Sequence, residues 1–97
     1  MLLLDVREDY EWDAGHIEGA RHLPMGQIPG AVTAGLDWLT PEVPVIVVCA
    51  VGARSARVAA WLNFQGYEAI NLDGGMHSWE HAGRPMVSDT GARPTVL

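Results

Sequence analysis

The sequence predicts an α/β domain built on a small, mostly parallel sheet, and three observations carry that prediction. Val45-Ile46-Val47-Val48 is uncharged and β-branched throughout, as a central parallel strand buried on both faces must be. Strand-like apolar runs alternate with helix-like segments, the order that a parallel sheet with crossover helices requires. Gly15, Gly66, Gly74 and Gly83 fall at the joints between those segments, where the chain must turn.

In order along the chain, Leu2–Val6 is a short apolar run that reads as a buried strand. Arg7–Ala14 has acids in its first turn and Gly15 directly after it, the signals of a short helix. Residues 20–23 suit a short strand ended by Pro24. Pro29 and Gly30 interrupt the pattern after Met25, so the next helix is expected over Ala31–Leu39. After the strand Val45–Val48 comes a helix over Ser55–Gln65, with Gly66 placed to close it. Ala69–Leu72 is a further strand, Asp73-Gly74-Gly75 a turn, and Met76–Ala82 a last short helix stopped by Gly83 and Pro85. The tail Ser88–Leu97 is polar, contains Gly91 and Pro94, and is expected to fray.

Composition narrows the function classes. With 97 residues, 48% apolar and 19% charged, the chain suits one globular domain and is neither disordered nor of low complexity. The net charge is −6, and no residue is a lysine. Residues 1–48 hold eight acids against Arg7 and Arg21, whereas residues 49–97 hold four acids against four arginines. Such a chain offers no basic face to nucleic acid. Its longest uncharged stretch, His22–Leu36, is broken by Pro24, Pro29 and three glycines, so no membrane span is expected. Met1–Asp5 lacks the basic start of a secretory signal, and the single cysteine excludes an internal disulfide and a cysteine-cluster metal site. A reducing, cytoplasmic setting follows as the expectation.

That cysteine sits where chemistry is expected. Cys49 ends the strongest strand and is followed by Ala50-Val51-Gly52-Ala53-Arg54-Ser55, which leads into a helix. In open α/β sheets ligands bind beyond the carboxyl ends of the strands. Gly52 frees the backbone to turn successive N–H groups inward as an anion nest, and the helix N-terminus adds its positive end. Both favour a thiolate over a thiol. A lone buried cysteine is more often a small hydrophobe, but strand end, glycine loop, arginine and helix start together favour a nucleophile. Arg54 has two readings, a guanidinium for a bound anion or a scaffold group paired with Asp5.

Several segments then resemble one family. Asp5-Val6-Arg7-Glu8 with Gly15-His16-Ile17 and Gly19-Ala20 is similar to the opening signature of rhodanese domains. Cys49-x-x-Gly52-x-Arg54-Ser55 resembles their active-site loop. Gly66-Tyr67, Leu72-Asp73-Gly74-Gly75-Met76, Trp79, Gly83 and Pro85 resemble their closing signature, all in the right order over roughly residues 2–86.

The resemblance implies a three-layer rhodanese-like domain over residues 1–87 followed by a tail over 88–97. It implies a sulfurtransferase with Cys49 as nucleophile and Ala50, Val51, Gly52, Ala53, Arg54 and Ser55 as the substrate loop, with Asp5 and Arg7 as supporting residues. The implied donors are thiosulfate or a small persulfide; the acceptors are cyanide or a thiol, with a small redox protein among them. No metal or organic cofactor is implied, and a homodimer is left open. Rhodanese domains carry a strand and helix before their Asp-Val-Arg segment, and none stands before Asp5 here. One sheet edge is therefore expected to lie open, or to be covered by Pro94–Leu97 or a second protomer.

Two other classes compete. A rhodanese-like module used only for docking could dispense with the nucleophile that this chain keeps. Cysteine phosphatases and arsenate reductases place five residues between cysteine and arginine, whereas four separate Cys49 from Arg54. His77-Ser78-Trp79-Glu80-His81 spells a zinc-peptidase pattern, but its helix is too short and Asp89 is the one candidate to complete the ligands. His16 and the four tryptophans are read as structural, and Ser55 as a helix cap.

Overall fold

Four short strands lie side by side in the computed structural model, which describes residues 1–97. They are β1 (Leu2–Asp5), β2 (Arg21–His22), β3 (Val45–Val48) and β4 (Ala69–Asn71), all parallel in the order β2-β1-β3-β4. The helices are α1 (Asp9–Ala14), α2 (Ile28–Ala34), α3 (Ala53–Phe64) and α4 (Gly75–His81). The α/β class and the parallel sheet are therefore as the sequence predicts.

Alternation along the strands builds two cores. Leu4, Val45, Val47 and Cys49 face one side, where Ile28 of α2 and Val58, Ala59 and Leu62 of α3 close over them. Val48 faces the other side and meets Ile17 and Met76 of α4, with Leu3 and Trp79 packed alongside. A sheet buried on both faces explains why β3 reads as an unbroken apolar run.

The strand order also locates a crevice. The chain leaves β1 toward β2 on one side and returns to β3 on the other, so connections diverge at the carboxyl ends of β1 and β3. Asp5 and Val48 are direct neighbours there. This is the switch point at which open α/β sheets bind ligands, and Cys49 is the next residue.

Two expectations are corrected. The helix expected over Ala31–Leu39 runs instead over Ile28–Ala34, because Pro29 occupies its first turn, where a proline costs no hydrogen bond, and left-handed Gly35 ends it. The tail does not fray free of the domain. Val87 pairs with His16, and the Asp89 and Thr95 amides donate to the carbonyls of Asp13 and Ala14. Gly15 permits this, since a Cβ there would lie 2.5 Å from the Thr95 carbonyl oxygen. Neither edge strand takes a backbone hydrogen bond from the tail, so its role is to pack beneath α1 rather than to cover an edge.

Candidate active site

The loop after β3 winds around the cysteine sulfur. Cys49 and Ala50 are buried, Val51 forms an exposed tip, and Gly52 turns the chain into α3 with φ of 105°, a left-handed geometry that favours glycine. Three donors then converge on Cys49 Sγ: the Gly52 N–H at 3.1 Å, the Ser55 N–H at 3.3 Å and the Ser55 hydroxyl at 3.2 Å. The loop is braced from behind by α4. The Met76 and His77 amides, free at the start of that helix, donate to the carbonyls of Cys49 and Ala50 at 2.8 and 2.9 Å. The approach is so close that a Cβ on Gly75 would lie 2.3 Å from the Cys49 carbonyl oxygen.

Burial of Cys49 pushes its thiol pKa up, but the Ser55 hydroxyl and the amides of Ser55, Gly52 and Val51 outweigh burial and hold it below the ordinary thiol value. Because these donors favour the charged form, thiolate should form at lower pH than on a free cysteine. In Ser55→Ala the strongest of the lowering contacts is gone, and the midpoint of the thiolate absorbance at 240 nm is expected to move up by roughly one pH unit, the equivalent of one hydrogen bond to a charged group. An unchanged midpoint would show that the hydroxyl does not serve the sulfur.

The single proton of the Ser55 hydroxyl has two acceptors within reach, Cys49 Sγ and Asn71 Oδ1. Asn71 Nδ2 donates to Asp73 Oδ1 at 3.1 Å, which turns the amide oxygen toward Ser55. The cap expected from Ser55 is thus replaced by a bond to sulfur; Gly52 is the N-cap of α3, with no side-chain cap bond.

The two arginines nearest the loop in sequence and fold, Arg54 and Arg7, are both paired with carboxylates. Arg54 grips Glu11 with both guanidinium nitrogens, Nη1 to Oε1 at 2.8 Å and Nη2 to Oε2 at 2.9 Å, so its partner is not Asp5. That contact holds the Glu11 carboxyl below its usual range despite burial, and raises Arg54 further. Asp5 instead pairs with Arg7, both side chains being 0% exposed, and Arg7 goes on to donate to the carbonyls of Glu11 and Gly15. The pair anchors α1 and thereby sets where Glu11 meets Arg54. His16 bonds the Trp12 carbonyl at the end of α1 and stacks on its ring, as a structural residue should.

The structure thus gathers Cys49, Gly52 and Ser55 at one point, with the backbone of Ala50 and Val51 completing the loop. It leaves Ala53 exposed, ties Arg54 to Glu11, and buries Asp5 and Arg7 against each other. Glu11, Asn71 and the glycine step into α4 were missed by sequence reasoning. Glu11 carried a usable signal, an acid at the third position of a helix, but its reach to Arg54 depends on tertiary packing. On α4, His77 and His81 are exposed and the Glu80 carboxylate takes the Val96 amide. No three His, Cys, Asp or Glu side chains come together as a metal site, and no helix is long and apolar enough to cross a membrane.

Comparison with known proteins adds the following. A family model described as "Rhodanese-like domain" matches residues 1–82. The chain is 36% identical over 85 residues to the "Putative sulfurtransferase YtwF" of Bacillus subtilis, covering 88% of this chain and 79% of that protein. It is 38% identical over 82 residues to the "Thiosulfate sulfurtransferase GlpE" of Stutzerimonas stutzeri, covering 82% and 71%. Among solved structures, a rhodanese-related protein from Thermoplasma volcanium superposes with a TM-score of 0.80 at 30% identity, over 89% of this chain and 82% of that one.

Proposed function

The chain belongs to the rhodanese-like domain family, and we propose that it is a sulfurtransferase that carries sulfur on Cys49 between a donor and a thiol or cyanide acceptor. The observation that supports this reading most is the convergence of three loop donors on one buried sulfur at the switch point of the sheet. Hydrogen-bond donors fixed in advance around a site of negative charge stabilise a thiolate and, one bond further out, a persulfide anion.

The reaction has two steps. The Cys49 thiolate attacks the outer sulfur of thiosulfate or of a small persulfide; the new S–S bond forms as the old one breaks, and sulfite or a thiolate leaves with the bonding pair. The acceptor then attacks the terminal sulfur of the Cys49 persulfide and regenerates the thiolate. Such covalent, two-step chemistry runs on thiolates alone and calls for no cofactor. Ala50, Val51, Gly52 and Ser55 form the cradle, and Ala53 carries the chain from it into α3; Arg54, Asp5 and Arg7 hold its frame. A small redox protein with an exposed thiol would serve as acceptor, in a cytoplasm that keeps Cys49 reduced.

Incubating the protein with thiosulfate and, separately, with glutathione persulfide tests the reading. Intact-mass measurement is expected to show a gain of one sulfur atom, released as thiocyanate on adding cyanide. A protein that takes sulfur from neither donor would be a docking module, and Cys49-dependent hydrolysis of p-nitrophenyl phosphate would make it a phosphatase.

A further inference from the structure

The second turn of α3 carries a basic group that the chemistry at the sulfur does not use. Arg57 follows Ser55 by two residues and is exposed. It has no carboxylate partner, whereas Arg7 is taken by Asp5 and Arg54 by Glu11. Residues three and four apart share one face of a helix, so Trp61 lies one turn beyond both Arg57 and Val58. With Met25, Ile28 and Pro29 these three line a cleft of about 150 Å³.

The wall opposite α3 is made by the 3₁₀ turn Met25–Gln27 and the first turn of α2. The Met25 amide donates to the Val6 carbonyl at 2.9 Å, which fixes that wall at the carboxyl end of β1, the end of the sheet where Cys49 lies. Ile28 and Val58 are buried and close the cleft from below; Met25 and Trp61 are half-buried, and Pro29 and Arg57 form the exposed rim.

Each part constrains the occupant. An apolar space of this size takes up a body about as large as a benzene ring. Met25, Ile28, Pro29, Val58 and Trp61 bring no charge, so Arg57 alone sets the sign of what binds. It repels a cation, and its planar guanidinium receives a carboxylate through two parallel N–H···O bonds. One unpaired arginine matches one negative charge.

We propose that the cleft between α2 and α3 binds small monocarboxylates with an apolar body, an aryl or branched alkyl group, and that Arg57 holds the carboxylate at its mouth. The apolar body lies on Ile28 and Val58 against the Trp61 indole. The site is distinct from the sulfur cradle, and the proposal stands apart from the sulfurtransferase reading.

Titration of the ¹⁵N-labelled protein with 3-phenylpropionate, and separately with the neutral 3-phenylpropionamide, tests it. Saturable shifts are expected at the amides of Met25, Arg57 and Val58 and at the Trp61 indole N–H. The expected Kd is on the order of 1 mM, the yield of about eleven non-hydrogen atoms at ordinary ligand efficiency. The uncharged amide is expected to bind ~5-fold more weakly, the worth of an ion pair at a half-exposed site, and Arg57→Gln should weaken the acid equally. The comparison of acid with amide uses the wild-type protein alone, so it stands even if the variant misfolds. Cys49→Ser is expected to bind the acid as the wild type does, whether or not the wild type takes up sulfur. Equal affinity for acid and amide, or no saturable shift by ~20 mM, well above that Kd, would overturn the proposal. So would shifts confined to residues 50–55 or to the separate cleft between Arg84 and Arg93, since the acid would then sit elsewhere.

Discussion

Cys49→Ser is expected to take up no sulfur while folding much as the parent does. The hydroxyl is close in size to the thiol and meets the same donors, the amides of Gly52 and Ser55 and the Ser55 hydroxyl. It can accept their bonds, so the cost to stability should stay near ~1 kcal/mol, the net worth of an ordinary hydrogen bond. Reactivity has no such replacement. A serine hydroxyl is un-ionised at neutral pH, whereas the donors around Cys49 favour thiolate, and oxygen cannot carry sulfane sulfur as a persulfide. The chain has one cysteine, so no other thiol can stand in. Intact mass after donor treatment, with a thermal melt of the same sample, measures both halves. Persistent sulfur uptake by the serine variant would rule out Cys49 as carrier.

Arg7→Leu is expected to lower stability by about 3–5 kcal/mol, the cost of removing one partner from a buried ion pair. Arg7 and Asp5 are both 0% exposed, and the guanidinium holds the carboxylate through Nε and Nη2 while also reaching two carbonyls. Without it the Asp5 charge is stranded in the core and the carbonyls of Glu11 and Gly15 lose their donor. A domain this size has roughly 5–15 kcal/mol of net stability, so the change uses up much of it. The melting temperature should fall by about 4–8 °C for each kcal/mol lost. Arg7→Leu combined with Asp5→Leu removes the stranded charge and should recover part of the loss. A urea midpoint for Arg7→Leu close to wild type would mean the pair contributes little.

The features legible in the sequence were those set by local chemistry. The uncharged run Val45–Val48 is a strand wherever it is buried, and Gly52 after Cys49 permits a turn that few other residues can make. The identity of the cradle loop follows from these two facts. Pairings between distant segments were harder to read. Arg54 could have met any acid near the strand ends; Glu11 is its partner because Arg7 and Asp5, occupied with each other, fix α1 above the loop. A proline inside an apolar stretch reads as an interruption, whereas Pro29 stands in the first turn of α2 and starts it. Asn71 carried no local signal, since an asparagine at a strand end reads as the start of a turn. The tail illustrates the same limit: its composition is that of a loose end, and its order comes from the bare surface of Gly15, far away in sequence.

The bracing of the loop by α4 has a consequence for when the cradle comes into being. The carbonyls of Cys49 and Ala50 are held by Met76 and His77, which are synthesised well after the cysteine itself. A nascent chain cut short before His77 would carry Cys49 and its loop but not both of the amides that brace them. The brace is therefore added late in translation, and a chain that ends upstream of α4 lacks the two amides that hold the loop from behind.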